Sequence, residues 1–320
     1  MSAAFFSQRR RAARHRTGEM LGLAVWVAVP FLLGCTPPLP EPSEILRGLS
    51  RTILQPNVSC AELREAFGLD ELPLVDTPDE IGIGYEELHI DTASGEKLRV
   101  WYMSVDDSPG TVVVSPGNTG PMSCYLFTGY LLVQCGWSVV MYDYEGFGGS
   151  TGVPALTRLR DDLDSVVNWT LQRTGQEQVV LFGMSLGSIP SVAVATQRPR
   201  EVSGVILDSP VALATEIERF NFLIRGRAAE VIGSIAQLAP WLLTELTVGH
   251  LRQPVLIFLH EYDLVSPPAT VRILFEQAVG PKELVVFEGL DHAAGQFERT
   301  EQYQARLAAF LDSLVRQERD

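Results

Sequence analysis

The sequence is poor in basic residues and shows no internal repeat. Lysine and arginine number 25 against 39 aspartate and glutamate residues, so the formal net charge is −14. A chain this acidic lacks the basic surface that binds nucleic acid or anionic lipid, and we expect neither as a partner. Its 320 residues, 46% of them hydrophobic, are enough to bury the core of one large domain or two small ones.

The sequence also lacks an apolar run of the length that spans a bilayer. The N-terminal apolar run, Met20–Gly34, is short for a spanning helix but fits the core of a signal peptide, and basic residues from Arg9 to Arg16 precede it. The run ends in Phe31–Cys35, which resembles the lipobox of bacterial lipoproteins. We therefore predict a signal peptide over residues 1–34. The alternative is an uncleaved anchor with an incidental cysteine.

Cys35 is then the lipidated first residue of the mature chain and its contact with the membrane of the bacterial cell envelope. No acidic residue follows Cys35 directly, and by resemblance to known sorting rules this favours the periplasmic face of the outer membrane. Four prolines between Thr36 and Pro42 predict an extended, semi-rigid spacer. We assign residues 35–58 to this tether and residues 59–320 to the folded domain.

Cysteine is scarce in the predicted domain. Outside the cytosol two of the three residues Cys60, Cys124 and Cys135 can form a disulfide, but the sequence does not choose the pair. Burial of all three as small apolar side chains is the alternative. The oligomeric state is left open as well.

Short apolar runs alternate with helical patterns along most of the domain. This order predicts an α/β fold with a mostly parallel sheet of about eight strands, helices on both faces and an antiparallel edge where the first strands follow one another directly. One segment, 211–254, breaks the alternation between two strands. It is rich in apolar residues and predicts a small helical cap, although an ordinary pair of packed helices fits the pattern too.

The stretch around which the rest is arranged is Gly183–Gly187, which spells G-x-S-x-G. An apolar run precedes it and a helical run follows, which is the context of a nucleophile elbow at Ser185. Glycines on both sides of the serine let the strand and the helix pass close to one another. The pentapeptide alone is weak evidence, because an ordinary strand-to-helix turn can carry the same letters.

Two later loops supply partners for this serine. Asp263 and His292 each follow a predicted parallel strand, so their loops open at the same sheet edge as Ser185. The order Ser, Asp, His then gives a nucleophile, an orienting carboxylate and a base. Asp208, which follows another strand, is the rival to Asp263 for the carboxylate.

A candidate oxyanion hole precedes these groups. Thr111–Gly120 runs from a strand into a glycine-containing loop, and the N–H of Leu186 with that of Asn118 or Thr119 could bind a tetrahedral oxyanion.

On the basis of these residues, the chain resembles the α/β-hydrolase superfamily from about Leu74 to Val315. It is most similar to the small-cap esterases and thioesterases of the alpha/beta hydrolase domain-containing group. Tyr142–Gly152 is similar to that group's D-Y-x-G-x-G-x-S-x-G segment. The resemblance implies that this segment shapes the loop beside the active site and carries no catalytic group. Pro116 stands where the family usually has histidine, which leaves the choice between Asn118 and Thr119 open. The resemblance implies no cofactor.

We expect a serine hydrolase acting on small-molecule carboxylic esters or thioesters, with neutral apolar acyl groups favoured. No metal site is expected, because residues 260–264 do not form H-E-x-x-H. Alternatives are a non-catalytic binding lipoprotein on the same fold, a serine peptidase and an acyltransferase.

Overall fold

A computed structural model describes residues 40–66, 75–222, 224 and 226–317. The predicted signal peptide over residues 1–34 and the predicted lipidation site Cys35 lie outside these ranges. Within the described ranges, no helix is long and apolar enough to cross a membrane.

The described strands form one eight-stranded sheet of order β1-β2-β4-β3-β5-β6-β7-β8. Strand β2 pairs antiparallel with both β1 and β4, and every other pair is parallel. The mostly parallel sheet with an antiparallel edge is therefore confirmed. The strands are β1 Glu86–Asp91, β2 Lys97–Met103, β3 Thr111–Ser115, β4 Ser138–Tyr142, β5 Val179–Met184, β6 Val202–Asp208, β7 Val255–His260 and β8 Lys282–Phe287.

Helices cover both faces of the sheet, and its central strands β3, β4, β5 and β7 are buried at every position. In β5 all six residues are buried, and alternate side chains enter opposite cores: Leu181 faces one cluster and Phe182 the other. The helices are α1 Pro42–Ile53, α2 Cys60–Ala66, α3 Leu126–Gln134, α4 Leu159–Thr174, α5 Ser188–Gln197, α6 Leu213–Arg219, α7 Ala228–Leu238, α8 Thr244–Thr247, α9 Pro268–Gln277, α10 Gly295–Glu298 and α11 Thr300–Gln317.

The prediction of an extended tether over residues 35–58 is wrong from residue 42 onward. Residues 42–53 form α1, which packs against α7, and Leu46 is buried in the larger core. Proline 42 sits in the first turn, where its missing N–H costs nothing, and Ile45, Leu46, Leu49 and Ile53 follow at helical spacing. The amphipathic pattern outweighs the proline-rich composition, so the folded unit includes α1.

A disulfide joins Cys60 at the start of α2 to Cys124, which settles the pairing that the sequence left open. Cys135 keeps its thiol, with its Sγ 3.9 Å from the carbonyl oxygen of Gln304. The bridge ties α2 to the short helical turn Met122–Tyr125, directly after the loop that ends at Gly120.

The segment 211–254 contains helices, as predicted, but most of it packs into the main core and does not form a separate cap. Trp241, Leu242 and Leu243 are buried in the larger core, where this part of the segment packs against α5. Helix α6 instead reaches the site loops, since Arg219 donates a hydrogen bond to the carbonyl of Leu264 at 2.8 Å. The segment is thus a covering layer with one helix directed toward the sheet's carboxyl edge.

Candidate active site

Ser185 lies at the sharp turn between β5 and α5. Its φ is 50°, in the left-handed region that non-glycine residues rarely adopt, and it is nearly buried. The neighbouring glycines are required by close packing: a Cβ on Gly183 would lie 2.5 Å from the carbonyl oxygen of Gly187, and a Cβ on Gly187 would overlap the carbonyl oxygen of Ser115. The first turn of the following helix leaves N–H groups, including that of Leu186, without intrahelical acceptors.

Asp263 and His292 form a hydrogen-bonded pair, of which the carboxylate is buried. Nδ1 of His292 lies 2.8 Å from Oδ2 of Asp263, and the Asp263 side chain is fully buried. The other carboxylate oxygen accepts the N–H groups of Val265 at 2.8 Å and Ser266 at 2.7 Å. Burial by itself raises the pKa of Asp263, but the charge and hydrogen bonds of His292 and its neighbours outweigh it, and the pKa is lowered.

The loop that carries His292 also contacts the nucleophile strand. The Gln296 amide nitrogen lies 4.0 Å from the sulfur of Met184, the residue before Ser185. The N–H of Ala293 donates to Oγ of Ser209, just past the end of β6. The structure therefore brings the three predicted residues Ser185, Asp263 and His292 to one edge of the sheet.

The rival carboxylate, Asp208, is engaged elsewhere. It is fully buried, and its Oδ2 accepts a hydrogen bond from the hydroxyl of Tyr303 at 2.7 Å. Its Oδ1 lies 3.7 Å from Nδ1 of His260 and has no hydrogen-bond partner among the described residues. Burial raises the pKa of Asp208. The geometry pairs His292 with Asp263 and leaves Asp208 on the side of α11.

The loop after β3 approaches the same turn. The N–H of Thr119 points to the hydroxyl of Tyr125 at 3.4 Å, and that hydroxyl donates to the Thr119 carbonyl at 2.8 Å. The N–H of Asn118, by contrast, has no partner among the described residues. Of the two residues that the sequence proposed with Leu186, the geometry favours Asn118.

Part of the segment misassigned to the tether holds this loop in place. Gln55 donates its N–H to the Asn118 carbonyl at 2.8 Å and accepts the N–H of Gly120 at 2.9 Å. The Asn118 side-chain amide donates to the carbonyl of Ile53, also at 2.8 Å. The end of α1 is therefore a brace for the candidate oxyanion loop.

The segment Tyr142–Gly152 is held by Asp143. This buried carboxylate accepts the N–H of Met122 at 2.6 Å and that of Gly149 at 3.0 Å. Gly148, with φ of 46°, lies so close that a side chain at position 148 would overlap the carboxylate of Asp143. The contacts are those of a structural organiser of the loop.

The cap contributes an acidic group near the pair. Glu216 on α6 lies close enough to Asp263 for the two charges to interact, and burial raises the pKa of Glu216 to about 7. Arg219 bridges Glu216 at 3.0 Å and the Leu264 carbonyl. Within the described residues no group of three or more histidines, cysteines or carboxylates could hold a metal ion.

Sequence reasoning missed Ser209 and the role of His260. Ser209 follows Asp208 on β6, between the strands of the predicted nucleophile and acid. Its hydroxyl contacts His260 at the end of β7 and Ala293 in the loop after β8. The sequence signal for Ser209 is its place at the carboxyl end of a strand, where any polar residue, and not only a carboxylate, can take part in the site.

Comparison with known proteins agrees with this geometry. A family model described as "Serine aminopeptidase, S33" (Hydrolase_4) matches residues 106–248, which contain Ser185 but end before Asp263. The chain is 28% identical over 245 residues to the protein YfhR of Escherichia coli O157:H7, covering 72% of this chain and 81% of that protein. It is 29% identical over 230 residues to alpha/beta hydrolase domain-containing protein 17B of Xenopus tropicalis, covering 69% of this chain and 73% of that protein.

Among solved structures, the Pyrococcus furiosus esterase Pf2001 superposes with a TM-score of 0.63 at 19% sequence identity, covering 76% of this chain and 98% of the esterase. The likeness shows the fold. Together with the family match over residues 106–248, the α/β-hydrolase fold supports a hydrolase.

The close approach at the turn makes a direct test of the packing possible. Gly187→Ala should lower the free energy of unfolding by about 1–3 kcal/mol, because the added methyl group overlaps backbone oxygens of the β3 loop. Gly233→Ala is the matched control: nothing lies within 4 Å of the added Cβ in the exposed interior of α7, so it should stabilise the protein by about 0.5–1 kcal/mol. Urea unfolding measures both. Equal effects of the two substitutions would contradict the account of this turn.

Proposed function

We propose that the protein is a serine hydrolase that cleaves carboxylic esters or thioesters through an acyl-enzyme. The observation that carries the proposal is the strained elbow at Ser185 on the same sheet edge as the hydrogen-bonded Asp263–His292 pair. A serine hydroxyl is a weak nucleophile at neutral pH and needs an adjacent base that is itself oriented. This arrangement supplies both requirements.

In the proposed reaction, Ser185 Oγ attacks the carbonyl carbon while Nε2 of His292 takes its proton. Asp263 holds the Nδ1–H tautomer of His292 and stabilises the imidazolium that forms. The same imidazolium returns the proton to the leaving alcohol or thiol. A water molecule activated by His292 then hydrolyses the acyl-enzyme and releases the acid.

The oxyanion that develops on the carbonyl oxygen needs preorganised donors. We propose the N–H groups of Leu186 and Asn118 for this role, because the first lies at the start of a helix and the second has no partner among the described residues. The N–H of Thr119, directed at Tyr125, is the weaker candidate.

The substrate side of the proposal rests on charge and exposed apolar surface. Tyr262 and Leu264 in the acid loop and Phe222 after α6 are exposed, with 60%, 69% and 74% of their surfaces accessible. Glu216 and the net charge of −14 disfavour anionic groups. We propose neutral, apolar acyl groups as the preferred substrates.

A serine peptidase is the second candidate, since the matching family model is described as a serine aminopeptidase. A panel of aminoacyl anilides beside the esters separates the two. A binding protein without catalysis would turn over neither, and an acyltransferase would require an alcohol or amine acceptor.

We also propose that the chain is exported and anchored in the bacterial cell envelope, at the periplasmic face of the outer membrane, by lipid on Cys35. The Cys60–Cys124 disulfide supports export, because such bonds persist in oxidising compartments and are rare in the cytosol.

The nucleophile is tested by Ser185→Ala. This variant should stay folded and lose ester turnover by roughly 10³-fold or more, since the acyl-enzyme can no longer form. Hydrolysis of p-nitrophenyl butyrate is the measurement. Ser165→Ala, a serine on α4 that bonds only its own helix, is the control and should keep full activity. Full activity of the Ser185→Ala protein would refute the mechanism.

The acid is tested by comparing Asp263→Asn with Asp208→Asn. An amide at position 263 favours the wrong tautomer of His292, so kcat should fall by roughly 10³–10⁴-fold. At position 208 the amide oxygen can still accept the hydrogen bond from Tyr303, and we expect a loss of at most about 10-fold. The reverse ranking in steady-state kinetics would transfer the role to Asp208.

Substrate preference is tested with p-nitrophenyl esters from acetate to hexanoate. If the acyl chain binds an apolar surface, kcat/KM should rise with length by up to about fourfold per methylene, the equivalent of about 0.8 kcal/mol. Esters with a carboxylate on the acyl group should be poor substrates. Acetate as the best substrate, or carboxylated esters above neutral ones, would contradict the assignment.

The anchor is tested by mass spectrometry of the mature protein. The N-terminus should be a lipid-modified Cys35, and Cys35→Ser should leave the protein without lipid and released from the membrane fraction. A mature protein that still begins at Met1 would disprove processing.

A further inference from the structure

A buried serine connects the two loops that carry the acid and the base. Ser209 follows β6, is fully buried and has φ of 50°. Its Oγ accepts the N–H of Ala293 at 3.1 Å and lies 2.9 Å from Nδ1 of His260. Its carbonyl oxygen accepts the hydroxyl of Ser266 at 2.8 Å, and the N–H of Ser266 donates to Asp263. Ser209 therefore contacts the loop of the acid, the residue after the base and a second histidine.

The direction of these hydrogen bonds follows from His260. Gly295 donates its N–H to Nε2 of His260 at 3.0 Å, so Nε2 carries the lone pair. Burial lowers the pKa of His260, which keeps the ring neutral and places its proton on Nδ1. Nδ1–H then donates to Ser209 Oγ, which already accepts the Ala293 N–H. Two donors from separate segments therefore hold the Ser209 side chain in place.

We infer that Ser209 and His260 are positioning residues that fix Asp263 and the His292 loop relative to one another, an inference that rests on the hydrolase mechanism proposed above. His260 orients the Ser209 hydroxyl, and Ser209 holds the loop of Asp263 through Ser266. The His260 ring is in turn held flat against Phe287, with the ring centroids 5.3 Å apart.

Loss of the Ser209 hydroxyl has two structural consequences. The Nδ1–H of His260 loses its acceptor, which loosens the end of β7 directly before the loop of Asp263. The Ala293 N–H loses its acceptor inside the protein, which loosens the backbone beside His292. Both effects misalign the base, and neither removes a contact to substrate, because Ser209 is fully buried.

The first test is kinetic and compares four variants. Ser209→Ala and Ser209→Gly should each lower kcat by roughly 10–100-fold with KM within about twofold, since misplacement of a catalytic group acts on the chemical step. Glycine relieves the left-handed backbone at this position, so its loss of kcat cannot come from strain. His260→Leu should behave like Ser209→Ala. His260→Asn, whose amide can still donate to Ser209, should recover most of kcat.

Ser138→Ala is the matched control. Ser138 is also buried and accepts one backbone N–H, from Val105 at 3.0 Å, but it lies at the amino-terminal end of β4. Its loss should leave kcat unchanged. Wild-type kcat in Ser209→Gly, or an equal loss in Ser138→Ala, would overturn the inference.

The second test does not depend on activity. In nitrogen-15 NMR of the resting wild-type protein, His260 should show a protonated Nδ1 and an unprotonated Nε2, and the Nδ1–H resonance of His292 should move or broaden in Ser209→Gly. An unchanged His292 resonance, or a protonated Nε2 on His260, would overturn the inference even if the wild-type protein hydrolyses esters. Conversely, a wild-type protein without esterase activity but with these signatures would refute the proposed function and keep the network.

Discussion

The site depends on the close contact between the β5–α5 turn and the end of β3. Gly187 passes so near the carbonyl oxygen of Ser115 that no side chain fits between them. This contact places the Asn118 loop beside the first turn of α5, and it holds Ser185 in a backbone conformation that a free chain rarely adopts. The candidate oxyanion donors and the nucleophile are therefore positioned by one packing constraint.

Non-glycine residues with a left-handed backbone cluster at the candidate site. Besides Ser185, the described non-glycine residues with positive φ are Asp107, Ser209 and Ala293. The last two lie in the site and are hydrogen-bonded to each other, whereas Asp107 is in the turn before β3. Strain of this kind costs free energy and persists only where the surroundings enforce it, so its concentration at one sheet edge agrees with a functional site there.

Two carboxylates at this edge have opposite environments. Asp208 and Asp263 are both buried, but hydrogen bonds and the charge of His292 lower the pKa of Asp263, whereas burial raises the pKa of Asp208. A lowered pKa favours the ionised carboxylate that stabilises an imidazolium, and a raised pKa works against it. The proposed division of roles follows from this difference.

The sheet and the positions of Ser185, Asp263 and His292 were predictable because each depends on a local pattern: an apolar strand followed by a short polar loop. The choice between Asn118 and Thr119 was not predictable, since it depends on which N–H is directed at the Tyr125 hydroxyl, and that is set by how the loop folds. The same holds for the Cys60–Cys124 pair and for Ser209, whose hydroxyl has partners at the end of β7 and in the loop after β8. Residues 42–58 were predicted as a tether because of their proline content, but Leu46 and its neighbours lie at helical spacing and bury one face of α1.

The central claim is that Ser185 becomes covalently acylated, and labelling with a fluorophosphonate probe tests it most directly. Intact mass spectrometry followed by peptide mapping of the wild-type protein should show one adduct per chain, located on the peptide that contains Ser185. The adduct should form much more slowly in Asp263→Asn, where His292 is held in the wrong tautomer. An adduct on another residue, or none on a folded protein, would contradict the account.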